Sequence, residues 1–170
     1  FIWVENAEQL AGIQQYKNEH KDSGILGYNF ALKDNIDASS IENYEGIASG
    51  TESNGRAQAF TGTFDGRGFR IIGLNTNAAD ANNASSGIFS TLSGPVKDPR
   101  VYASKFFGGE NAGVIAANNK GTITGVTTFG NRVEAENAGG IAGTNAGKIE
   151  SSAASDSVIT NGGTAGGIAG

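Results

Sequence analysis

An all-β fold is what this sequence predicts: a right-handed parallel β-helix, three-sided, about five to six coils long, with a short N-terminal capping helix. Three observations carry the prediction. The segment Gly139-Gly140-Ile141-Ala142-Gly143-Thr144-Asn145-Ala146-Gly147-Lys148-Ile149 recurs 26 positions earlier as Gly113-Val114-Ile115-Ala116-Ala117-Asn118-Asn119-Lys120-Gly121-Thr122-Ile123, and again as Gly166-Gly167-Ile168-Ala169-Gly170 and Gly87-Ile88-Phe89-Ser90. Such a period marks a solenoid, in which one unit cannot bury its apolar face alone and neighbours stack to supply the core. The chain holds 27 glycines and two prolines in 170 residues with no collagen triplet, which fits many repeated tight turns. Finally, inward positions within one coil, Ile141, Ile149, Ile159 and Ile168, are almost evenly spaced, so each turn divides into three nearly equal sides. Short strands separated by Gly, Asn or Ser fit those sides, whereas helical repeats conflict with the glycine and β-branched content.

At the N-terminus, Asn6 is placed to cap a helix reaching Asn18, with Gln9 as capping-box partner and Leu10, Ile13 and Tyr16 on one face. Residues 1–27 therefore read as a cap over the first coil, and 28–170 as the β-helix. Residues 28–37 alternate as a strand and turn. Residues 39–59 are polar, carry Gly46, Gly50 and Gly55, and read as an excursion from the stack. The pattern resumes at Phe60. One expected ladder runs Phe64, Phe89, Ile115, Ile141, Ile168, at nearly constant steps. A second runs Ile71, Val96, Ile123, Ile149, and a third Phe107, Val133, Ile159. Asn119 and Asn145 are expected to stack, as are Asn111 and Asn137, while Gly121 and Gly147 mark one turn in successive coils. The chain starts without Met and stops in mid-repeat at Gly170, as a piece continuing into further coils would.

Composition narrows the function. A formal net charge of −5, with no basic stripe expected to neutralise phosphates, argues against a nucleic-acid or anionic-membrane partner. No cysteine is available for disulfides or thiolate metal sites, and no run of 18 apolar residues offers a membrane span.

The residues resemble the bacterial GLUG-motif repeats. The matching segments are Gly113-Val114-Ile115-Ala116, Gly140-Ile141-Ala142-Gly143 and Gly167-Ile168-Ala169-Gly170, with Asn145-Ala146-Gly147-Lys148-Ile149 as the turn. Residues 60–68 look like the "F-x-G-T-F-D-G-x-G" lead-in of such proteins, and 28–37 like their "Y-x-L-x-x-D-I-D" opening. The resemblance implies a large secreted or surface-attached bacterial protein, such as a filamentous-haemagglutinin-like adhesin exported by two-partner secretion. It also covers repeat regions of some secreted proteases. Two departures stand out: the Asn-Pro-Asn motifs of the secretion domain are absent, and the two earliest repeats lack the closing glycine.

For chemistry the sequence offers little. Glu110 and Glu136 occupy one position in consecutive coils, near the carboxyl separation of a retaining glycosidase, yet Gly162 takes the third place and no basic or aromatic subsite accompanies them. Asp34, Asp37 and Asp65 fit turn closure better than calcium, since no Gly-Gly-x-Gly-x-Asp pattern exists. His20 has no partner for a metal, and Gly66-Arg67-Gly68 lacks the Lys-Ser/Thr of a phosphate loop. Asn83-Ala84-Ser85 is a lone glycosylation sequon. Trp3, Tyr16, Tyr28, Tyr44 and Tyr102 make a sugar platform only if several share a face. The expectation is therefore no enzyme, no cofactor and no metal. Instead the chain reads as a rod segment of a secreted or bacterial cell-surface adhesin, binding a glycan or protein receptor on a host or bacterial cell through loops 39–59 and 75–86, with Asn43, Tyr44, Arg56, Asn82 and Asn83 as contact residues. The competing classes are a polysaccharide-active lyase or glycosidase and an accessory repeat region of a secreted protease.

Overall fold

The computed structural model describes residues 1–76 and 85–170. Every ladder between its named strands is parallel, and the strands stack into a β-solenoid of about six turns. From Phe64 onward each coil passes through four ladders in chain order. Wall 1 comprises Ile2–Val4, Phe30–Leu32, Phe64–Asp65, Pro95–Lys97, Thr122–Thr124 and Lys148–Glu150. Wall 2 comprises Ile36–Asp37, Arg70–Ile72, Arg100–Tyr102 continued by Lys105–Phe107, Thr127–Glu134 and Ala153–Ile159. Wall 3 stacks Ser85–Ser86, Asn111–Gly113, Asn137–Gly139 and Thr164–Gly166, and wall 4 stacks Phe89–Leu92, Ala116–Asn119 and Ala142–Asn145. The side that carries the Gly-Ile-Ala-Gly segment is thus two short ladders meeting at a glycine-rich bend.

The interior is one apolar column running from Val4 and Leu10 to Ile141. Its N-terminal half is aromatic, with Phe60 and Phe64 packed on Phe89 at centroid separations of 4.9 and 5.5 Å. From Ala112 onward it is Ile, Val and Ala. On wall 1 the expected register of Val96, Ile123 and Ile149 is observed. So are the pairings of Asn119 with Asn145 and Asn111 with Asn137, whose side-chain amides bond from coil to coil at 2.8 and 3.1 Å.

Three ladder assignments are corrected. Phe64 pairs with Phe30 and Val96 on wall 1, not with Phe89, and Ile71 pairs with Ile36 and Val101 on wall 2, not with Val96. The reason is coil length. Along wall 1 the steps Phe30 to Phe64 and Phe64 to Val96 are longer than Val96 to Ile123 and Ile123 to Ile149, so a ruler cut to the late repeats fails in the early coils. Within the wall 4 column, Phe89 pairs with Ala116, which sets Ile88, not Phe89, beside Ile115; Ile141 and Ile168 follow in order. The third expected ladder is displaced by one residue at both ends. Val133 pairs with Phe106 and Val158, whereas Phe107 and Ile159 stand opposite Glu134 on the other face. Because side chains alternate along a strand, that slip exchanges inside for outside. Phe106 is accordingly fully buried and Phe107 only partly.

Glycine enforces the corner between walls 4 and 1. A Cβ on Gly62, Gly94, Gly121 or Gly147 would lie 1.9, 2.0, 2.2 and 2.1 Å from the carbonyl oxygen of Tyr28, Gly62, Gly94 and Gly121 respectively. The backbone of each coil rests on the one before, and only glycine permits that approach.

The cap forms as its sequence dictates. Asn6 Oδ1 accepts from the Gln9 amide at 2.9 Å, Gln9 Oε1 accepts from Glu5 N at 2.7 Å, and the helix Ala7–Glu19 follows. Leu10 and Ile13 enter the core, but Tyr16 is 45 % exposed; Gln14 and Lys17 take the inner face instead. The strand Ile2–Val4, placed in the cap by sequence, is itself the first rung of wall 1. No helix of the described residues is long and apolar enough to cross a membrane.

Candidate functional site

The segment 39–59 is not a free contact loop. Ile47 pairs with Phe89 and extends wall 4 by one rung, and its carbonyl accepts from Ser90 N at 2.8 Å. Tyr44 is fully buried, its hydroxyl donating to the Ile88 carbonyl at 3.0 Å, which removes it from the contact set. Burial pushes its phenol well above the ordinary tyrosine range, with the Glu45 charge adding to the shift. The segment also seals the cap. Gln14 Oε1 accepts from Ala48 N at 2.7 Å, while Gln14 Nε2 donates to Asn18 Oδ1 at 2.9 Å and to Gln58 Oε1 at 3.0 Å. Lys17, nearly buried, gives its ammonium to the carbonyls of Lys21 and Ser23 and to Glu52 at 3.1 Å. A buried amide and ammonium are tolerable only when satisfied in this way.

What remains exposed there is the hairpin tip, where Thr51 bridges Ala57 and Gly55 turns with φ 83°, so Arg56 projects into solvent. Asn43 is exposed beside a shallow groove between the cap helix and Glu45. Asn82, Asn83 and the sequon lie outside the described residues, except for Ser85.

The acidic candidates behave as turn and rung residues. Asp34, Asp37 and Asp65 accept from the amides of Asn35, Ser39 and Arg67 at 2.7, 3.0 and 2.9 Å. Hydrogen bonds from Ser39 hold the Asp37 carboxyl below its usual range. Glu110 and Glu136 sit on adjacent rungs, both exposed, where Asn137 N donates to the Glu110 carbonyl at 2.8 Å. A shallow depression beside Glu136 is lined by Glu134, Asn161 and glycines, with no cation to orient a substrate. His20, the single histidine, stacks on Tyr16 at 4.1 Å at the helix end. Ser90 Oγ is buried without a hydrogen-bond partner among the described residues, under the backbone of Gly46, and so is shielded from any substrate. Among the described residues no three His, Cys, Asp or Glu side chains converge as metal ligands.

Exposed aromatic and basic side chains do converge elsewhere. At the corner of walls 1 and 2, the Arg67 guanidinium lies 5.0 Å from the Trp3 ring and 5.6 Å from that of Phe69. On the outer face of wall 2, Ile72, Tyr102 and Phe129 occupy one column of successive rungs. The expected aromatic set contained Tyr102 but missed Phe129, which is 62 % exposed. Its signal was present in the spacing from Tyr102 to Phe129, which equals that from Lys105 to Arg132.

No family model matches the chain. Over 160 residues, 86 % of the chain, it is 31 % identical to halomucin of Haloquadratum walsbyi. The match spans only 2 % of that protein. In structure the chain is similar to a putative immunoglobulin A1 protease from Bacteroides ovatus, at TM-score 0.65 and 19 % identity, over 98 % of this chain and 60 % of the other. At that identity the likeness is one of fold.

Proposed function

We propose that this chain is a rod segment of a large secreted or cell-surface repeat protein, and that it presents an adhesive face toward a glycan or protein on another cell. The observation that carries the reading is the division of labour in the fold. The polar turns and the segment 39–59 are consumed in holding coil to coil, whereas wall 2 displays aromatic and basic side chains that stabilise nothing inside. The likeness to halomucin and to a putative immunoglobulin A1 protease supports an extracellular setting. The resemblance to GLUG-motif and haemagglutinin-like proteins points the same way.

Beads coated with the chain should be retained on bacterial or epithelial cell layers above albumin-coated beads. Equal retention would sink the adhesive role and leave a scaffold. The second reading, an accessory segment of a secreted protease, is favoured by the structural likeness to the Bacteroides ovatus protein. It requires no chemistry of this chain, whose buried Ser90 and cap-bound His20 are not assembled with each other. Incubation with immunoglobulin A1 should leave the antibody intact, and cleavage by the purified chain would overturn both readings.

A further inference from the structure

We infer that the outer face of wall 2 binds an acidic polysaccharide, laid across the rungs along the solenoid axis. This names a ligand class for the adhesive role proposed above and takes its biological setting from that reading.

The argument begins with strand alternation. Ile71, Val101 and Thr128 point inward and are buried, so their neighbours Arg70, Ile72, Arg100, Tyr102, Thr127 and Phe129 face out. Register then sorts the outer residues into parallel columns. Arg70 stands beside Arg100 in one; Ile72, Tyr102 and Phe129 form the next; beyond a bulge, Asn75, Lys105 and Arg132 form a third. An apolar and aromatic strip is therefore flanked on both sides by cations. Ile72 is 37 % and Phe129 62 % exposed, a surface cost that the interior does not require.

Charge makes the strip distinctive. The chain carries a net charge of −5, yet four of its twelve basic side chains lie on this face. Arg70, Arg100 and Lys105 make no ion pair among the described residues, while Arg132 meets Glu134 at 3.5 Å. Asp37, in the central column, is occupied with its own turn at the first rung, and at the wall 1 edge Asp65, paired with Lys97, and Asp98 line the depression beside Arg100. Asp156 points the other way, accepting from Thr128, Asn131 N and Asn131 Nδ2.

A ligand that fits must offer apolar faces to the central column and negative charge to both edges, repeating with the rungs at about 4.8 Å. A chain of sugar rings bearing carboxylate or sulfate does this: ring faces pack on aromatic side chains, and guanidinium pairs with the anionic groups. A nucleic acid strand offers stacking too, but its denser phosphate charge is disfavoured by the acidic remainder of the chain.

The test uses the purified chain and four immobilised probes: dextran sulfate, polygalacturonate, uncharged dextran and poly(dT). Retention on one or both anionic glycans, with none on dextran, is expected; retention on both or on one alone tells whether sulfate, carboxylate or either suffices. Phe129→Ser, which repeats the residue found at Ser155 in the same column, should weaken binding by about tenfold or more, as should Arg100→Gln combined with Lys105→Gln. Lys120→Gln, on an exposed turn away from the face, should change nothing. Thermal unfolding checks each variant, and Tyr102→Thr replaces Phe129→Ser if the latter lowers it. The inference falls if neither anionic glycan binds, if Lys120→Gln weakens binding as much, if the aromatic substitutions have no effect, or if poly(dT) binds as tightly with the same dependence on Phe129. Cell adhesion without glycan binding would leave the adhesive reading standing and remove this face. Glycan binding without cell adhesion would keep the face and remove the adhesive role.

Discussion

Replacing Gly121 by alanine is the sharpest test of the glycine column between walls 4 and 1. The added methyl would lie 2.2 Å from the Gly94 carbonyl oxygen and 2.8 Å from the Ser93 carbonyl carbon, backbone atoms that have no side-chain freedom with which to retreat. Relief requires the two coils to part by about 1 Å, and overpacking of that kind costs about 1–3 kcal/mol. The same parting strains the bond from Lys120 N to the Leu92 carbonyl, 2.7 Å, at roughly 1 kcal/mol. A loss of about 3 kcal/mol follows. For a chain of this length it corresponds to a fall in the melting midpoint of about 6–12 °C. Gly12→Ala is the matched control: it lies in the cap helix with nothing within 4 Å of its would-be Cβ. It should stabilise by about 0.5–1 kcal/mol. Thermal and urea melts followed by circular dichroism would measure both. If Gly121→Ala melted within a degree of the parent, the coil contact at this corner would be refuted.

Two further outcomes follow from burial and register. Phe106→Ala should cost about 3–5 kcal/mol and Phe107→Ala under about 1, measured by urea melts; equal costs would restore the unslipped register. Spectrophotometric titration of the native chain against its Tyr44→Phe variant should show no difference until unfolding, because Tyr44 stays silent while buried. Above about pH 10 the unfolded state releases the Tyr44 proton and the folded state retains it, so stability present below that pH is lost as pH rises. Ionisation of Tyr44 in the ordinary tyrosine range while the chain stays folded would contradict the burial.

The later coils were legible because they carry little besides the repeat. Ile123 and Ile149, or Asn119 and Asn145, share one spacing and pair as that spacing demands. The early coils hid their register in length. Phe64 follows Phe30 at a longer interval because the intervening coil includes the segment that closes over the cap helix, and no local pattern reveals where such an insertion is absorbed. Phe107 was misplaced for a subtler reason. The steps from Phe106 to Val133 and from Val133 to Val158 are unequal, because the strand Thr127–Glu134 holds a bulge residue between Phe129 and Arg132 that Ala153–Ile159 lacks. A uniform spacing averages the two steps, so a single extra residue leaves periodicity nearly intact while reversing inside and outside. Tyr44 read as a surface aromatic because its neighbours Asn43 and Glu45 are polar, whereas its position was set by contact with Ile88, far away in sequence. The basic and aromatic columns of wall 2 escaped notice since each residue is isolated along the chain and only the register gathers them.

The coil-by-coil pairing of walls 1 and 2 has a mechanical corollary. Because each described rung of walls 1 and 2 bonds only to the rungs on either side, a tether pulling on the two termini loads the coils beyond the cap one after another. The structure would give way in instalments, each freeing one coil, or about 90 Å of slack at full extension. Such stepwise yielding absorbs work repeatedly where a single cooperative rupture would absorb it once, a useful property for any strut that shear pulls upon.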